Sequence, residues 1–335
     1  MGDRSSMSEF DLIRTYFADL TPQRADVALG IGDDAALVSI PPGQQVAVSV
    51  DTLVSGVHFL PSVSPRALGH KALAVNLSDL AAMGAEPAWV TLAMTLPTAD
   101  STWLAEFAAG FSALAARYKV ALIGGDTTRG PLSLSLQVQG LVPEGEALRR
   151  AGARAGDGIY VTGSLGDAAL CLKLMQASAE SERIDQALRT RLERPQPRVA
   201  AGMGLRGLAS SAIDISDGLL ADLGHILEAS GVGASLELAR LPLSDTYAEW
   251  MAQGGDWSPA LTGGDDYELC FTASGELGTR IESLAAQLDL PISRIGRIED
   301  ETGLRVIRPD GGVWSGSDAG FDHFADGDGT DDRGA

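Results

Sequence analysis

Six short segments joining glycine or serine to aspartate, most of them closing an apolar run, set the strongest constraint on this chain. They are Gly30–Ala35 (GIGDDA), Ser49–Thr52 (SVDT), Asn76–Leu80 (NLSDL), Gly124–Arg129 (GGDTTR), Asp214–Gly218 (DISDG) and Gly263–Glu268 (GGDDYE). An apolar strand that ends in Gly-Asp delivers a carboxylate to the strand end, where glycine lets backbone or ligand come close. Taken singly, each of Asp33, Asp34, Asp51, Asp79 and Asp126 reads as a turn former or a helix cap. Taken jointly they point to one site. Like charges about 4 Å apart repel by about 4 kcal/mol at an effective dielectric of about 20, so converging carboxylates call for cations. Magnesium suits such a set, because it binds through a few carboxylates together with substrate phosphates.

Composition narrows what the site can handle. The net charge of −20 argues against wrapping a nucleic-acid backbone, which needs clustered basic side chains. The chain has three lysines, Lys71, Lys119 and Lys173, so phosphate binding must fall mainly to metal ions, arginines and backbone N–H groups. No Gly-x-x-x-x-Gly-Lys segment exists, and Gly30-Ile31-Gly32 runs into two aspartates instead of completing a dinucleotide fingerprint. A calcium-binding EF-hand loop, a Cys/His zinc cluster and a Gly-x-Ser-x-Gly elbow are also missing. The two cysteines, Cys171 and Cys270, stand in apolar surroundings and read as buried free thiols. No apolar run reaches membrane-spanning length and no signal segment opens the chain, so a cytoplasmic enzyme without a membrane partner is expected.

Periodicity predicts mixed α and β structure in two domains: 1–145, 146–325, and a disordered acidic tail over 326–335. Helices are expected at 8–20, 65–83, 101–118 and 218–230. Strands are expected at 45–50, 89–96, 120–123, 132–142, 158–162, 212–215, 234–238, 269–272 and 305–308. The strand at 45–50 is expected to end at Asp51, and the one at 120–123 to deliver Gly124-Gly125-Asp126. His58 follows the Asp51 segment closely; a substrate contact and a structural histidine are both open for it.

In this order the segments resemble the thiamine-monophosphate kinase family, from the first helix to Gly320–Phe324 (GFDHF). The closest matches are Gly30–Ala35, Asp51–Phe59, Lys71–Pro87 (KALAVNLSDLAAMGAEP), Leu122–Pro131 (LIGGDTTRGP), Ala212–Leu220 (AIDISDGLL) and Gly263–Phe271. Aminoimidazole-ribonucleotide synthetase and the hydrogenase-maturation dehydratase share the architecture, and the former is the nearest alternative reading. A non-catalytic divalent-cation-binding protein is an alternative of another class. The resemblance implies an α/β fold in which the amino-terminal mixed sheet joins a second copy's in a barrel-like homodimer. It implies Mg-dependent, direct in-line transfer of the ATP γ-phosphate to thiamine monophosphate, with no general base. By motif, Asp34, Ser49, Val50, Asp51, Asp79, Asp126, Asp214 and Asp217 are implied ligands of several magnesium ions. Gly125, Asp126, Arg150 and Ser216 are implied ATP contacts, and His58, Asp265 and Phe321 implied thiamine-monophosphate contacts. Three positions depart from the family pattern. Val50 stands where some members have threonine and can offer only its carbonyl, Asp265 where many have glutamate, and Phe321 where others have tyrosine or tryptophan.

Overall fold

A computed structural model describes residues 9–177 and 184–316. Phe321 and the acidic segment 326–335 lie outside the described residues. Helix α1 (Glu9–Tyr16) and a two-stranded ribbon, β1 (Val27–Leu29) with β2 (Leu37–Val38), precede a four-stranded mixed sheet. That sheet is built from β3 (Gln44–Val54), β4 (Glu86–Leu96), β5 (Ala121–Arg129) and β6 (Ser133–Pro143) in the order β3-β6-β4-β5. Only the β4–β5 pair is parallel. Side chains alternate across the pleat as a period of two demands. Val90, Leu92 and Met94 of β4 face the main core, whereas Trp89 turns to a small cluster with Ala121 and Ile123.

Two helices cover the core face. α2 (Pro65–Ala82) starts at Ser64, whose hydroxyl accepts from the Ala67 N–H, and stops before Gly84 at φ +64°. α3 (Ser101–Tyr118) starts at Asp100, whose carboxylate accepts from the N–H groups of Thr102 and Trp103. α2 is rich in alanine and leucine around its whole circumference and is buried along nearly its full length. It takes that position because a second sheet packs over it.

The second sheet contains β7 (Gly158–Thr162), β8 (Ser211–Asp214), β9 (Gly233–Glu237), β10 (Leu269–Ala273), β11 (Ile292–Glu299) and β12 (Gly303–Ile307). Its order is β12-β9-β11-β7-β10-β8, antiparallel throughout except between β12 and β9. Tyr160, Ala212, Phe271 and Ala273 point toward α2 and α6 (Val199–Leu205) and join the core of the first sheet. Ile159, Val161, Ile213 and Cys270 point the other way, toward α4 (Asp167–Ala177) and α7 (Leu219–Ser230). The remaining helices are α5 (Gln186–Glu193), α8 (Asp245–Ala252), α9 (Ser258–Thr262) and α10 (Gly278–Leu288). Both cysteines are buried free thiols. Among the described residues no helix is long and apolar enough to cross a membrane.

β3 and β5 run well past the C-terminal ends that the sequence pattern predicts. β3 continues through Asp51 to Val54, and β5 continues through Gly124-Gly125-Asp126 to Arg129. Ladder partners explain both extensions: Asp51 is opposite Leu136 of β6, and Asp126 is opposite Ala93 of β4. Neither β11 nor α10 is among the expected elements, although α10 carries Ile281, Leu284 and Leu288 at helical spacing and packs them on the core. β11 carries Arg294, Gly296 and Arg297, and backbone pairing to β7 and β9 makes it a strand.

Candidate active site

A cleft of about 1290 Å³ opens where β3 and α2 of the first sheet's layer meet the loops at the ends of β8 and β10. β3 and the turn after it contribute Val50, Asp51 and His58, and α2 contributes Lys71 and Asp79. The β8–α7 connection brings Asp214, Ser216 and Asp217, and the loop before β10 brings Asp265 and Tyr267. With Leu172 and Lys173 of α4 and Leu192 and Glu193 of α5, residues from six parts of the chain share one space.

Serine hydroxyls orient two of the carboxylates. The Ser49 hydroxyl donates to Asp79 Oδ2. The Ser78 hydroxyl donates to Asp214 Oδ2 at 2.7 Å. The Asp51 N–H donates to Asn76 Oδ1 at 3.2 Å, which ties β3 to α2 beside the site. Burial pushes the Asp51 carboxyl up to about 6, and the charges of Asp79 and Asp217 push it the same way. Asp79 is raised by burial, against the pull of the Ser49 hydroxyl and the Arg150 guanidinium. Asp214 is also raised, by burial first and then by the charges of Asp79, Asp222 and Asp51. Burial is the largest cause at all three, and at Asp51 and Asp214 the charges of neighbouring carboxylates add to it.

The two loops that close the cleft are pinned from behind. Asp222 Oδ2 accepts from the N–H groups of Ser216, Asp217 and Gly218 at 3.0, 3.0 and 3.1 Å. Burial nevertheless raises the Asp222 carboxyl to about 7. In the GGDDYE loop the three acids part company. Asp265 faces the cleft, while Asp266 is buried and accepts from the Gly166 N–H at 2.9 Å. Glu268 is fully buried between Arg191 and Arg198 and accepts from Thr162 Oγ1. The Gly166 N–H, in the turn between β7 and α4, is therefore taken up by Asp266. Burial and the neighbouring Asp265 charge hold the Tyr267 phenol well above its ordinary range, so it acts as a donor. At His58, Nδ1 accepts from the Val54 N–H at 3.0 Å, which places the proton of the neutral ring on Nε2.

Not every expected residue reaches the cleft. Asp33 and Asp34 are exposed in the turn after β1, where Asp33 Oδ1 accepts from the Asp34 N–H at 2.8 Å. Gly125 and Asp126 lie on β5, at the opposite edge of the sheet from β3. Three strand spacings of about 4.8 Å put Asp126 roughly 14 Å from Asp51 across the sheet. Arg150 is exposed in the loop after β6, within electrostatic reach of Asp79. The residues that hold the site in shape, Asn76, Ser78, Asp222 and Tyr267, carry weaker sequence signals. Asn76, Ser78 and Tyr267 lie inside the NLSDL and GGDDYE segments but beside the aspartates that draw attention there, and Asp222 is marked only as an aspartate in the first turn of α7.

The donor set fits a hard divalent cation. It is all oxygen, clustered and short of compensating charge. Among the described residues no three His, Cys, Asp or Glu side chains are packed closely enough to enclose a metal alone. Such an arrangement suits an ion that takes part of its shell from water and from a phosphate-bearing substrate.

Residues 32–142 match the family model for the AIR synthase related protein, N-terminal domain, and residues 154–308 match its C-terminal counterpart. A thiamine-monophosphate kinase of Salmonella typhimurium is 50% identical over 320 residues, covering 95% of this chain and 98% of that protein. The Bacillus subtilis enzyme of the same name is 38% identical, covering 90% of this chain and 94% of that one. Among solved structures, thiamine-monophosphate kinase from Stenotrophomonas maltophilia superposes with a TM-score of 0.80 at 50% identity, covering 86% of this chain and 92% of that one. AaThiL complexed with AMPPCP and TMP superposes with a TM-score of 0.75 at 33% identity, covering 88% and 92%. The hydrogenase maturation protein HypE in complex with ATP shares the fold at 19% identity, with a TM-score of 0.75. On the identity and the near-complete coverage of these relatives, the chain belongs to the thiamine-monophosphate kinase family.

Proposed function

We propose that this protein transfers the γ-phosphate of ATP to thiamine monophosphate, giving thiamine diphosphate and ADP. The observation that carries the reading is the single cleft in which Asp51, Asp79, Asp214 and Asp217 converge opposite His58 and Asp265. That is a site for two anions and the cations between them. Relatives named for this reaction, and one solved with AMPPCP and TMP, support the assignment of substrates.

In the proposed reaction an anionic phosphate oxygen of thiamine monophosphate attacks the γ-phosphorus in line. The bond to the β-phosphate oxygen breaks and ADP leaves with the electron pair. The nucleophile already carries its charge, so no side chain need remove a proton, and catalysis rests on positioning and charge neutralisation. Asp51, Asp79, Asp214 and Asp217 would hold magnesium, which when bound supplies charge neutralisation between the two phosphates. Ser49, the Val50 carbonyl, Asp34 and Asp126 extend that ligand set by family resemblance. On the same grounds Gly125, Asp126, Arg150 and Ser216 meet ATP, and His58, Asp265 and Phe321 meet thiamine monophosphate.

We assign domains to 1–145 and 146–325, a division supported by the two separate sheets and by the extents of the two family models. A homodimer is supported by the apolar surface of edge strand β3, where Val48 is 59% and Val50 61% exposed. Buried free thiols support a reducing cytoplasmic setting. The test is direct: incubate the protein with magnesium, ATP and thiamine monophosphate, and assay thiamine diphosphate and ADP. Equimolar formation of both is expected; ADP without thiamine diphosphate would point to another acceptor.

A further inference from the structure

Lys71 is the one charged group in the deeply buried stretch of α2, only 2% exposed, and its neighbours Ala67, Leu68, Ala72 and Ala74 are apolar. A buried ammonium is costly unless it is paired. Its partner comes from 194 residues away: Lys71 Nζ donates to Asp265 Oδ2 at 2.9 Å. The other carboxylate oxygen, Asp265 Oδ1, accepts from the Tyr267 hydroxyl at 2.9 Å. The backbone is tied as well. The Asp265 N–H donates to the Ser216 carbonyl at 2.9 Å, and the Tyr267 N–H to the Ile215 carbonyl at 2.8 Å. Asp265 and Tyr267 both sit in the left-handed region, at φ +71° and +51°. Side chains other than glycine adopt that region at a cost, and two such residues in three persist only where surrounding contacts fix them. All three side chains line the cleft.

We propose that Lys71 and Tyr267 are positioning residues that together fix the carboxylate of Asp265 on the cleft wall. They hold one oxygen each and offset part of the charge, so the acceptor meets a pre-set acidic contact instead of a mobile side chain. The group that such a carboxylate suits is a cationic or N–H-donating heterocycle. Preorganisation of this kind lowers the ordering cost of binding one substrate and leaves the other alone. The inference rests on the reading of Asp265 as an acceptor contact.

Steady-state kinetics with each substrate varied, on Tyr267→Phe, Lys71→Met and Lys71→Arg, test it, together with calorimetric titration of thiamine monophosphate without ATP. Tyr267→Phe keeps the ring and deletes only the hydroxyl. Loss of a hydrogen bond to a charged group should raise the KM and calorimetric Kd for thiamine monophosphate roughly tenfold, with the KM for ATP held within about twofold. Lys71→Arg should recover most of what Lys71→Met loses. Equal shifts in both KM values, or an unshifted thiamine-monophosphate KM in Tyr267→Phe, would overturn the positioning role. If Lys71→Met does not fold, Tyr267→Phe decides on the same criterion. The unmodified protein separates the two levels. Failure to make thiamine diphosphate at all would overturn the functional reading, whereas normal turnover with an unshifted KM in Tyr267→Phe would overturn only the positioning.

Discussion

Asp51 gives the cleft a pH signature whose sign can be worked out. Its carboxyl is raised from 3.8 to about 6 in the folded protein, by burial and by Asp79 and Asp217. Between those values the folded chain holds a proton that the unfolded chain has released. The contribution of Asp51 to stability therefore falls as pH rises through that window, and Asp222, raised to about 7, and Asp214, raised to about 8, carry the same decline to higher pH. A divalent cation prefers the deprotonated carboxylates, so it should counter the loss most where they are charged. Melting curves with chelator and with magnesium, at pH 5 and pH 7.5, should show a larger magnesium-induced rise at the higher pH. Equal rises at both would sink the assignment of these aspartates to a cation. Asp79→Asn tests the same charge through catalysis. It should cut turnover at least about a hundredfold, the order of one electrostatic group worth ~3 kcal/mol. It should not lower the metal-free melting temperature, because it relieves repulsion with Asp214.

At the scale of elements, α2 is placed by backbone contact with its neighbours. A Cβ added at Gly110 of α3 would lie 1.9 Å from the Arg66 carbonyl oxygen of α2, and one at Gly69 would lie 2.1 Å from the Phe107 carbonyl oxygen. These glycines let the two helices touch, which seats Lys71 and Asp79 at their depth. Gly110→Ala should therefore destabilise the protein by about 1–3 kcal/mol through forced separation of the helices, read from urea midpoints. A midpoint equal to the parent protein's would refute close packing there. Gly125 presents the same geometry in a strand, since its Cβ would lie 1.9 Å from the Leu92 carbonyl oxygen. Reduced activity in a Gly125 variant thus has a packing cause to be separated from any nucleotide contact. Much of this level is legible in the sequence. The helix at 101–118 and the strand at 158–162 match their expected bounds, because cap residues and dense apolar runs mark them. The onward runs of β3 and β5 are not legible, because polar residues such as Thr52 become strand only through partners like Ser135.

On the scale of the whole molecule, one hydrophobic core crosses from the first sheet to the second through α2. The apolar edge of β3 remains open on the single chain, and pairing with a second copy would cover it. Val48→Lys places a charge in that patch without touching the cleft lining. It should convert a dimer to a monomer in sedimentation velocity or light scattering at micromolar concentration. An unmodified protein that is already monomeric and fully active would overturn the dimer reading.

The sequence by itself determined the fold class, the main sheet-forming runs and the family, because apolar periodicity and ordered Gly-Asp segments are local features. It also supplied the carboxylates of the cleft. Only the tertiary structure decided which of them meet. Asp51, Asp79, Asp214 and Asp217 converge across α2, whereas Asp126 stands at the far edge of the same sheet. Only the fold, too, sorted the GGDDYE acids into one cleft group and two buried structural ones, and gave Lys71 its partner in Asp265. The reason is physical. Strand order and helix depth are set by long-range packing and ladder pairing, and no short stretch of residues encodes which distant side chain will face it.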